Sequence, residues 1–92
     1  MKTYKDVVEE KIEEQPWFLA TNLAWLRAKH NISMGKMSNA CGISKAYISQ
    51  LEAGNNKRPS ILIVKRLADF WDCRIEELCF TNLNNMAKHT RL

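Results

Sequence analysis

The sequence predicts an all-α domain, and three observations lead to that prediction. Apolar residues recur at intervals of three and four along the 92-residue chain, and no alternating strand pattern is longer than four residues. There are only three glycines, and serine, proline or glycine stands where the periodic segments would start or stop. A chain of this length can bury one hydrophobic core but not two. We therefore expect one small helical domain with a single dominant function.

The first two predicted helices are separated by Pro16, which suits the first position of a helix. A short helix from Tyr4 to Glu14 precedes it, so residues 1–15 are interpreted as an N-terminal helical extension. A helix from Trp17 to His30 follows. The apolar side of the extension carries Val7, Val8 and Ile12, and that of the second helix carries Leu19, Ala20, Leu23 and Leu26. Their helical spacing predicts that the second helix contributes a face to the core.

Serine and glycine mark the limits of the next two helices. Ser33 is a favourable N-cap for a short third helix, and Gly42 can end that helix in the left-handed conformation without steric cost. Ser44 then caps a fourth helix directly after this glycine turn. Two short helices joined by a tight turn are therefore predicted, which is the helix-turn-helix arrangement.

A basic loop leads from the fourth helix to Ser60, which caps a fifth helix with an apolar stripe. The stripe consists of Ile61, Val64, Leu67, Ala68 and Trp71. A last short helix follows Asp72 and carries two more apolar residues, Ile75 and Leu78. These helices are expected to complete the core.

The C-terminal boundary of the domain is set by the polar composition of residues 81–92. This segment shows no cap and no apolar periodicity, so it is interpreted as a mobile polar tail. The predicted helix-turn-helix domain therefore spans residues 16–80.

The charge distribution is compatible with a polyanionic partner but does not require one. Lys and Arg number 14 against 10 for Asp and Glu, which gives a net charge of +4. Half of the acids lie within residues 1–14, and residues 27–66 carry a clear basic excess. A basic central region of this kind is compatible with nucleic acid binding.

Other classes of protein and site are disfavoured by what the sequence lacks. The chain has three cysteines, an odd number, and no apolar signal region at its N-terminus. Both observations favour a location in the reducing cytoplasm. No apolar run approaches about 18 residues, so no membrane span is expected. Cys73, Cys79 and His89 lack the fourth ligand and the closely spaced pair that a zinc site needs. No metal or other cofactor is therefore predicted.

The most specific sequence motif of the chain is GISKAYISQLEAG, at residues 42–54. A Pro-Ser pair opens the next helix, and IEEL follows at residues 75–78. With these motifs, residues 26–78 resemble the Cro/C1-type (XRE) helix-turn-helix family of phage and bacterial transcriptional repressors. The resemblance implies a five-helix, lambda-repressor-like DNA-binding domain, here with an added N-terminal helix, whose segment 44–53 lies in the DNA major groove.

The resemblance also implies which residues contact DNA. Base edges would be contacted by Lys45, Ala46, Ser49 and Gln50. Phosphates would be contacted by Lys36, Ser44, Asn55, Asn56, Lys57 and Arg58. The side-chain chemistry agrees, because glutamine can both donate to and accept from adenine, and lysine can donate to guanine. A partly buried ion pair between Arg27 and Glu52 is implied as well.

The chain departs from the family pattern at the start of the third helix. Met34 stands where the family usually has glutamine, and Gly35 and Lys36 follow where glutamate is common. Lys36 in the first turn opposes the helix dipole, and a nearby phosphate would explain its presence.

These observations predict a sequence-specific DNA-binding transcriptional regulator, a repressor that binds a two-fold operator as a homodimer. The alternative is an antitoxin or partner-binding module that seats another protein on Trp25, Leu62 and Phe70. These apolar residues are more than one core needs. If no other protein covers them, we expect the N-terminal extension or a second copy of the chain to do so. Catalysis is not expected, because no nucleophile with a base, no paired acids and no glycine-rich phosphate loop is present.

Overall fold

A computed structural model describes the backbone of residues 16–89 and the side chains of residues 16–86. Within that range the chain forms six helices and no strand. They are α1 (Leu19–His30), α2 (Met34–Cys41), α3 (Lys45–Glu52), α4 (Ile61–Phe70), α5 (Ile75–Phe80) and α6 (Leu83–His89). The all-α class is confirmed, and α1 to α5 are the five helices of the predicted domain. The predicted helix within residues 1–15 lies outside the described residues.

Three helices begin at the serines that the sequence singled out. The hydroxyl oxygens of Ser33, Ser44 and Ser60 accept hydrogen bonds from backbone amides in the first turns of α2, α3 and α4. The donors are the amides of Lys36, Tyr47 and Leu62, at 3.0, 3.1 and 3.2 Å. Each cap satisfies one of the amides that a helix leaves unpaired at its start, so the predicted N-termini are confirmed.

The turn between α2 and α3 depends on Gly42. Its φ of 68° is left-handed, a conformation that strains any residue with a Cβ. In this conformation the amides of Gly42 and Ile43 both donate to the carbonyl of Ser38, at 3.0 and 3.2 Å. The predicted glycine stop is confirmed, and it sets α3 close against α2.

The core lies around α1, which packs against α3, α5 and α6, while α2 packs against α3 and α4. Its buried apolar residues are Leu19, Leu23, Leu26, Met37, Cys41, Ile43, Ile48, Leu51, Val64, Leu67, Ala68, Leu78 and Cys79. Fully burying a Leu, Ile or Met contributes about 1.5–3 kcal/mol. The core therefore draws on five of the six helices and holds α3 on two sides.

The prediction for Ile61 was wrong. This residue was assigned to the core stripe of the fifth helix, but its side chain is 70% exposed. Ile61 is the first residue of α4, and helical side chains point towards the N-terminus of their helix. Its side chain therefore extends beyond the part of α4 that packs on the core, whereas Val64, Leu67 and Ala68 are buried as predicted.

The prediction of an uncapped tail from residue 81 was also wrong. Residues Leu83–His89 form α6, and the side-chain oxygen of Asn82 accepts a hydrogen bond from the amide of Asn85 at 3.1 Å. Asn22, which is fully buried in α1, fixes the start of this helix by accepting from the amide of Leu83 at 3.1 Å. The mobility of the segment stays a prediction, but its first turn is attached to the core.

The same side chain of Asn22 closes the end of α5. Its amide nitrogen donates to the carbonyls of Leu78 and Thr81, both at 2.7 Å. A buried amide with all of these bonds satisfied avoids the cost of burying an unpaired polar group. Asn22 therefore ties α1, α5 and α6 together at one end of the molecule.

Candidate nucleic-acid interface

The outer face of α3 is polar and exposed, and the inner face is part of the core. Lys45, Ala46, Ser49 and Gln50 are all exposed. They lie at helical spacing along one side, whereas Ile48 and Leu51 on the other side are 0% and 1% exposed. The four residues predicted to contact bases are thus brought together on one surface, and the buried residues beneath them hold that surface in place.

The C-terminal end of α3 is held by an ion pair with α1. Arg27 Nε donates to Glu52 Oε2 at 2.6 Å and Nη2 donates to Oε1 at 2.8 Å, which is the bidentate arrangement. The two side chains are only 21% and 8% exposed. The hydrogen bonds to Glu52 raise the pKa of Arg27 above its usual value. A third bond, from Arg27 Nη1 to the carbonyl of Ile32 at 3.1 Å, joins the pair to the loop before α2.

The N-termini of α2, α3 and α4 carry no acidic residue in their first turns. A helix N-terminus has a partial positive charge and exposed amides, and an acid there would normally compensate it. Lys36 adds a cation to the first turn of α2, and Lys45 adds one to the first turn of α3. Each of these helix starts therefore favours a nearby negative charge.

Lys45 lies along the first turn of α2. A Cβ placed on Gly35 would stand 4.0 Å from Lys45 Cδ, so the aliphatic part of the lysine side chain lies beside Gly35. Lys36, the residue after Gly35, is exposed as well. Sequence reasoning did not identify this relation, because it depends on how α2 packs against α3.

The loop after α3 supplies two more cations. Gly54 has a φ of 78°, which turns the chain away from α3. Asn55, Lys57 and Arg58 are exposed, whereas Asn56 is half-buried and its side-chain oxygen accepts from the amide of Arg58 at 3.2 Å. The loop thus presents its cations beside α3.

The cations of this face are not matched by acids in the part of the chain that the structure describes. Lys36, Lys45, Lys57 and Arg58 form no salt bridge with the described residues. The acids that do form one are Glu52, Asp69, Glu76 and Glu77, and their partners are Arg27, Lys65 and Arg74. Arg66, which sequence reasoning did not single out, adds an exposed cation on α4 beside the turn. Its Nη1 lies 3.4 Å from the carbonyl oxygen of Gly42. Its place in the basic stretch 27–66 was the available signal.

The surface predicted for a protein partner is less exposed than expected. Trp25 and Phe70 are half-buried against the core, and Lys29 Nζ lies 4.8 Å from the centre of the Trp25 ring. Leu62 is 57% exposed. Only one of the three residues therefore presents most of its side chain.

The described residues offer neither a metal-binding cluster nor, at Cys79, a reactive thiol. They contain no cluster of three or more His, Cys, Asp or Glu that could hold a metal ion. Burial raises the pKa of Cys79 to about 11, so this thiol stays protonated and is a poor nucleophile at neutral pH. None of the helices between residues 16 and 89 is long and apolar enough to cross a membrane.

Comparisons with known proteins agree with this geometry. A family model described as helix-turn-helix, of the XRE type, matches residues 23–78. A transcriptional regulator from Listeria innocua is similar in structure, with 22% identity and a TM-score of 0.62 over 68% of this chain and 58% of that chain. The complex of the SinR protein with the SinI protein is similar at 18% identity and a TM-score of 0.62, over 79% of this chain and 67% of that chain. No curated protein matches. The chain spans less than two thirds of the Listeria regulator, and at these identities the two structures show a shared fold.

Proposed function

Since this chain belongs to the XRE-type helix-turn-helix family, as its motifs predicted, we propose that it is a sequence-specific DNA-binding regulator of transcription that acts as a repressor. The observation that supports this best is the face around α3. Four polar or small residues lie together on a rigidly supported helix, and cations without described acidic partners flank them. A major groove accepts a helix of this kind, and phosphates on either side accept the cations.

The proposal assigns a role to each part of this face. Lys45, Ala46, Ser49 and Gln50 contact base edges. The phosphates are contacted by Lys36, Ser44, Asn55, Asn56, Lys57 and Arg58. Ser44 can do so while it caps α3, because its oxygen accepts the amide of Tyr47 and its hydroxyl proton stays available. The pair of Arg27 and Glu52 holds α3 at the angle at which these contacts are made together.

Two copies of the chain bind one operator in this proposal, one on each half-site of a two-fold sequence. Half-sites are then spaced by about one helical turn of DNA, about 34–36 Å. The regulator acts in the cytoplasm, where bacterial DNA lies.

Selection of bound duplexes from a random pool tests the proposal. We expect a palindromic motif whose half-sites are centred about 10 base pairs apart. Binding should also fall by roughly two or more orders of magnitude between low and physiological salt, because several phosphates are neutralised. A pool that shows no enrichment, or an affinity that does not change with salt, would remove DNA as the partner.

A partner protein is the second candidate function. One of the similar structures is a complex of two proteins, SinR with SinI, and this chain exposes large apolar residues outside α3. These residues are Trp17, Ile61, Leu62, Phe80 and Met86. Copurification of a specific small protein with this chain would favour the second function. Weak DNA binding by the chain after that protein is removed would favour it further.

A further inference from the structure

Arg66 is an exposed cation that the proposed DNA contacts leave out. It belongs to α4, the helix after the basic loop, and its side chain extends to the turn between α2 and α3. Arg66 Nη1 lies 3.4 Å from the carbonyl oxygen of Gly42 and 3.6 Å from the position that a Cβ on Gly42 would occupy. The guanidinium therefore lies directly against the glycine turn, although α4 is not part of the helix-turn-helix unit.

The turn is held together without Arg66. The amides of Gly42 and Ile43 donate to the carbonyl of Ser38, and the hydroxyl of Ser38 donates to the carbonyl of Ile43 at 2.5 Å. The bond from Arg66 is long by comparison, since most N–H···O hydrogen bonds lie between about 2.7 and 3.2 Å. A guanidinium carries several N–H donors, so the bond to Gly42 leaves most of them available for another acceptor.

The acids of the surrounding helices do not neutralise Arg66. No acid is present in α2. The acid of α3 is Glu52, which is bound by Arg27, and the acid of α4 is Asp69, which is bound by Lys65 at 2.5 Å. Within the described side chains, residues 16–86, Arg66 forms no salt bridge. Its charge and its remaining donors are therefore available to an anion from outside the chain.

A DNA phosphate is the anion within reach. Gly42 and Ser44 are two residues apart, so their Cα atoms are separated by at most about 7 Å. Ser44 contacts a phosphate in the proposed complex, and successive phosphates of one strand are about 3.4 Å apart along the duplex axis. We propose that Arg66 binds a phosphate next to the one that Ser44 contacts, while its guanidinium keeps the bond to Gly42. The inference rests on the proposed function.

Arginine suits this double contact better than lysine. The planar guanidinium donates in fixed directions from different nitrogens, so it can bond the carbonyl of Gly42 and a phosphate together, whereas an ammonium is a compact charge on a flexible stem. The bond to Gly42 holds the side chain of Arg66 beside the turn before DNA binds, and less rotational freedom is then lost on binding. Arg66 is thus a phosphate-binding residue that the turn positions in advance.

Salt titrations of DNA binding test the inference, with the full chain and an operator duplex taken from the selected motif. Arg66→Ala should weaken binding by about tenfold and reduce the slope of log Kd against log salt by about 1 per copy. The loss should be the same for every single-base operator variant, because a phosphate contact carries no sequence information. Arg66→Lys keeps the charge, so it should keep the slope while it recovers only part of the affinity.

Lys65→Ala is the matched control. Lys65 is also exposed on α4, but it is bound to Asp69, so its removal should leave the slope unchanged. Arg66→Gln separates charge from structure, because its amide can still donate to Gly42 but carries no charge, and it should lower the slope as Arg66→Ala does. Thermal melts establish that each variant is folded.

A role confined to the turn gives a different result. If Arg66 served only to support Gly42, Arg66→Ala would lower Tm and affinity while the salt slope stayed that of the unmodified chain, and Arg66→Gln would restore both. An unchanged slope in the alanine and glutamine variants would overturn the inference and leave DNA binding by α3 intact. Failure of the unmodified chain to bind any selected duplex would instead overturn the proposed function and the inference with it.

Discussion

Replacing Arg27 with alanine should destabilise the fold by about 3 kcal/mol, because it leaves the carboxylate of Glu52 without its partner. Removing one member of a buried ion pair costs about 3–5 kcal/mol. We place this pair at the lower end, because Arg27 is 21% exposed although Glu52 is only 8% exposed. The substitution also removes the bond to the carbonyl of Ile32, so the loop before α2 loses a contact at the same time.

Thermal unfolding measures this effect directly. For a domain of this size, 1 kcal/mol shifts Tm by about 4–8 °C, so Arg27→Ala should lower Tm by about 12–24 °C. Glu52→Ala should cost less, because the arginine it leaves behind can reach solvent and keeps the bond to Ile32. Adding Glu52→Ala to Arg27→Ala should lower Tm little further, since the interaction is already lost.

Lys65→Ala is the matched control. Lys65 and Asp69 form an ion pair on α4 whose side chains are 56% and 62% exposed, and an exposed pair of this spacing contributes about 0.3–0.5 kcal/mol. If Arg27→Ala lowers Tm by no more than Lys65→Ala, the buried pair does not hold α3 in place and our account of the interface is wrong.

Three further predictions concern single positions. Gly42→Val should destabilise the fold by about 1–2 kcal/mol or more, because a β-branched residue resists the φ of 68°. Gly35→Ala within α2 is the control and should leave Tm equal or higher. Equal melting temperatures for the two variants would contradict this prediction. Gln50→Ala should cost about 1–3 kcal/mol at one base pair of each half-site, and Lys57→Ala should weaken all sequences alike and reduce the salt slope by about 1 per copy. A panel of single-base operator variants separates the two effects, and a uniform loss for Gln50→Ala would mean that α3 is wrongly placed in the groove. Because burial raises the pKa of Cys79 from 9.0 to about 11, the folded state holds this proton more tightly than the unfolded chain does. Its contribution to stability should therefore be complete below about pH 9 and fall as pH rises towards 11, and urea melts of a Cys79→Val variant should lose that part of the pH dependence.

The helix boundaries were predictable from sequence where a local signal sets them. Ser33, Ser44 and Ser60 each bond an amide two or three residues away, and Gly42 needs only its own backbone freedom. The residues that make up such a signal lie within a few positions of each other in the sequence. The helix-turn-helix unit could therefore be located before its packing was known.

The errors arose where distant residues decide the structure. Asn22 and Leu83 are 61 positions apart, and a polar residue in the middle of α1 gives no local sign that it will fix the start of α6. Ile61 shows the apolar spacing of the core, but the neighbouring helices do not extend to cover it. The polar face of α3 could be predicted from spacing and resemblance, whereas the path of Lys45 over Gly35 depends on how two helices pack.

The unpaired charge at the starts of α2, α3 and α4 has a consequence for the protein without DNA. An acid in the first turn of a helix contributes about 0.3–1 kcal/mol, so three helices without one forgo roughly 1–3 kcal/mol. That is a substantial part of the 5–15 kcal/mol that typically separates a folded domain from its unfolded chain. A polyanion bound at this face supplies the missing negative charge and binds the folded state alone, so it acts as a folding ligand. In the proposed complex with DNA the chain is therefore harder to unfold than it is when free.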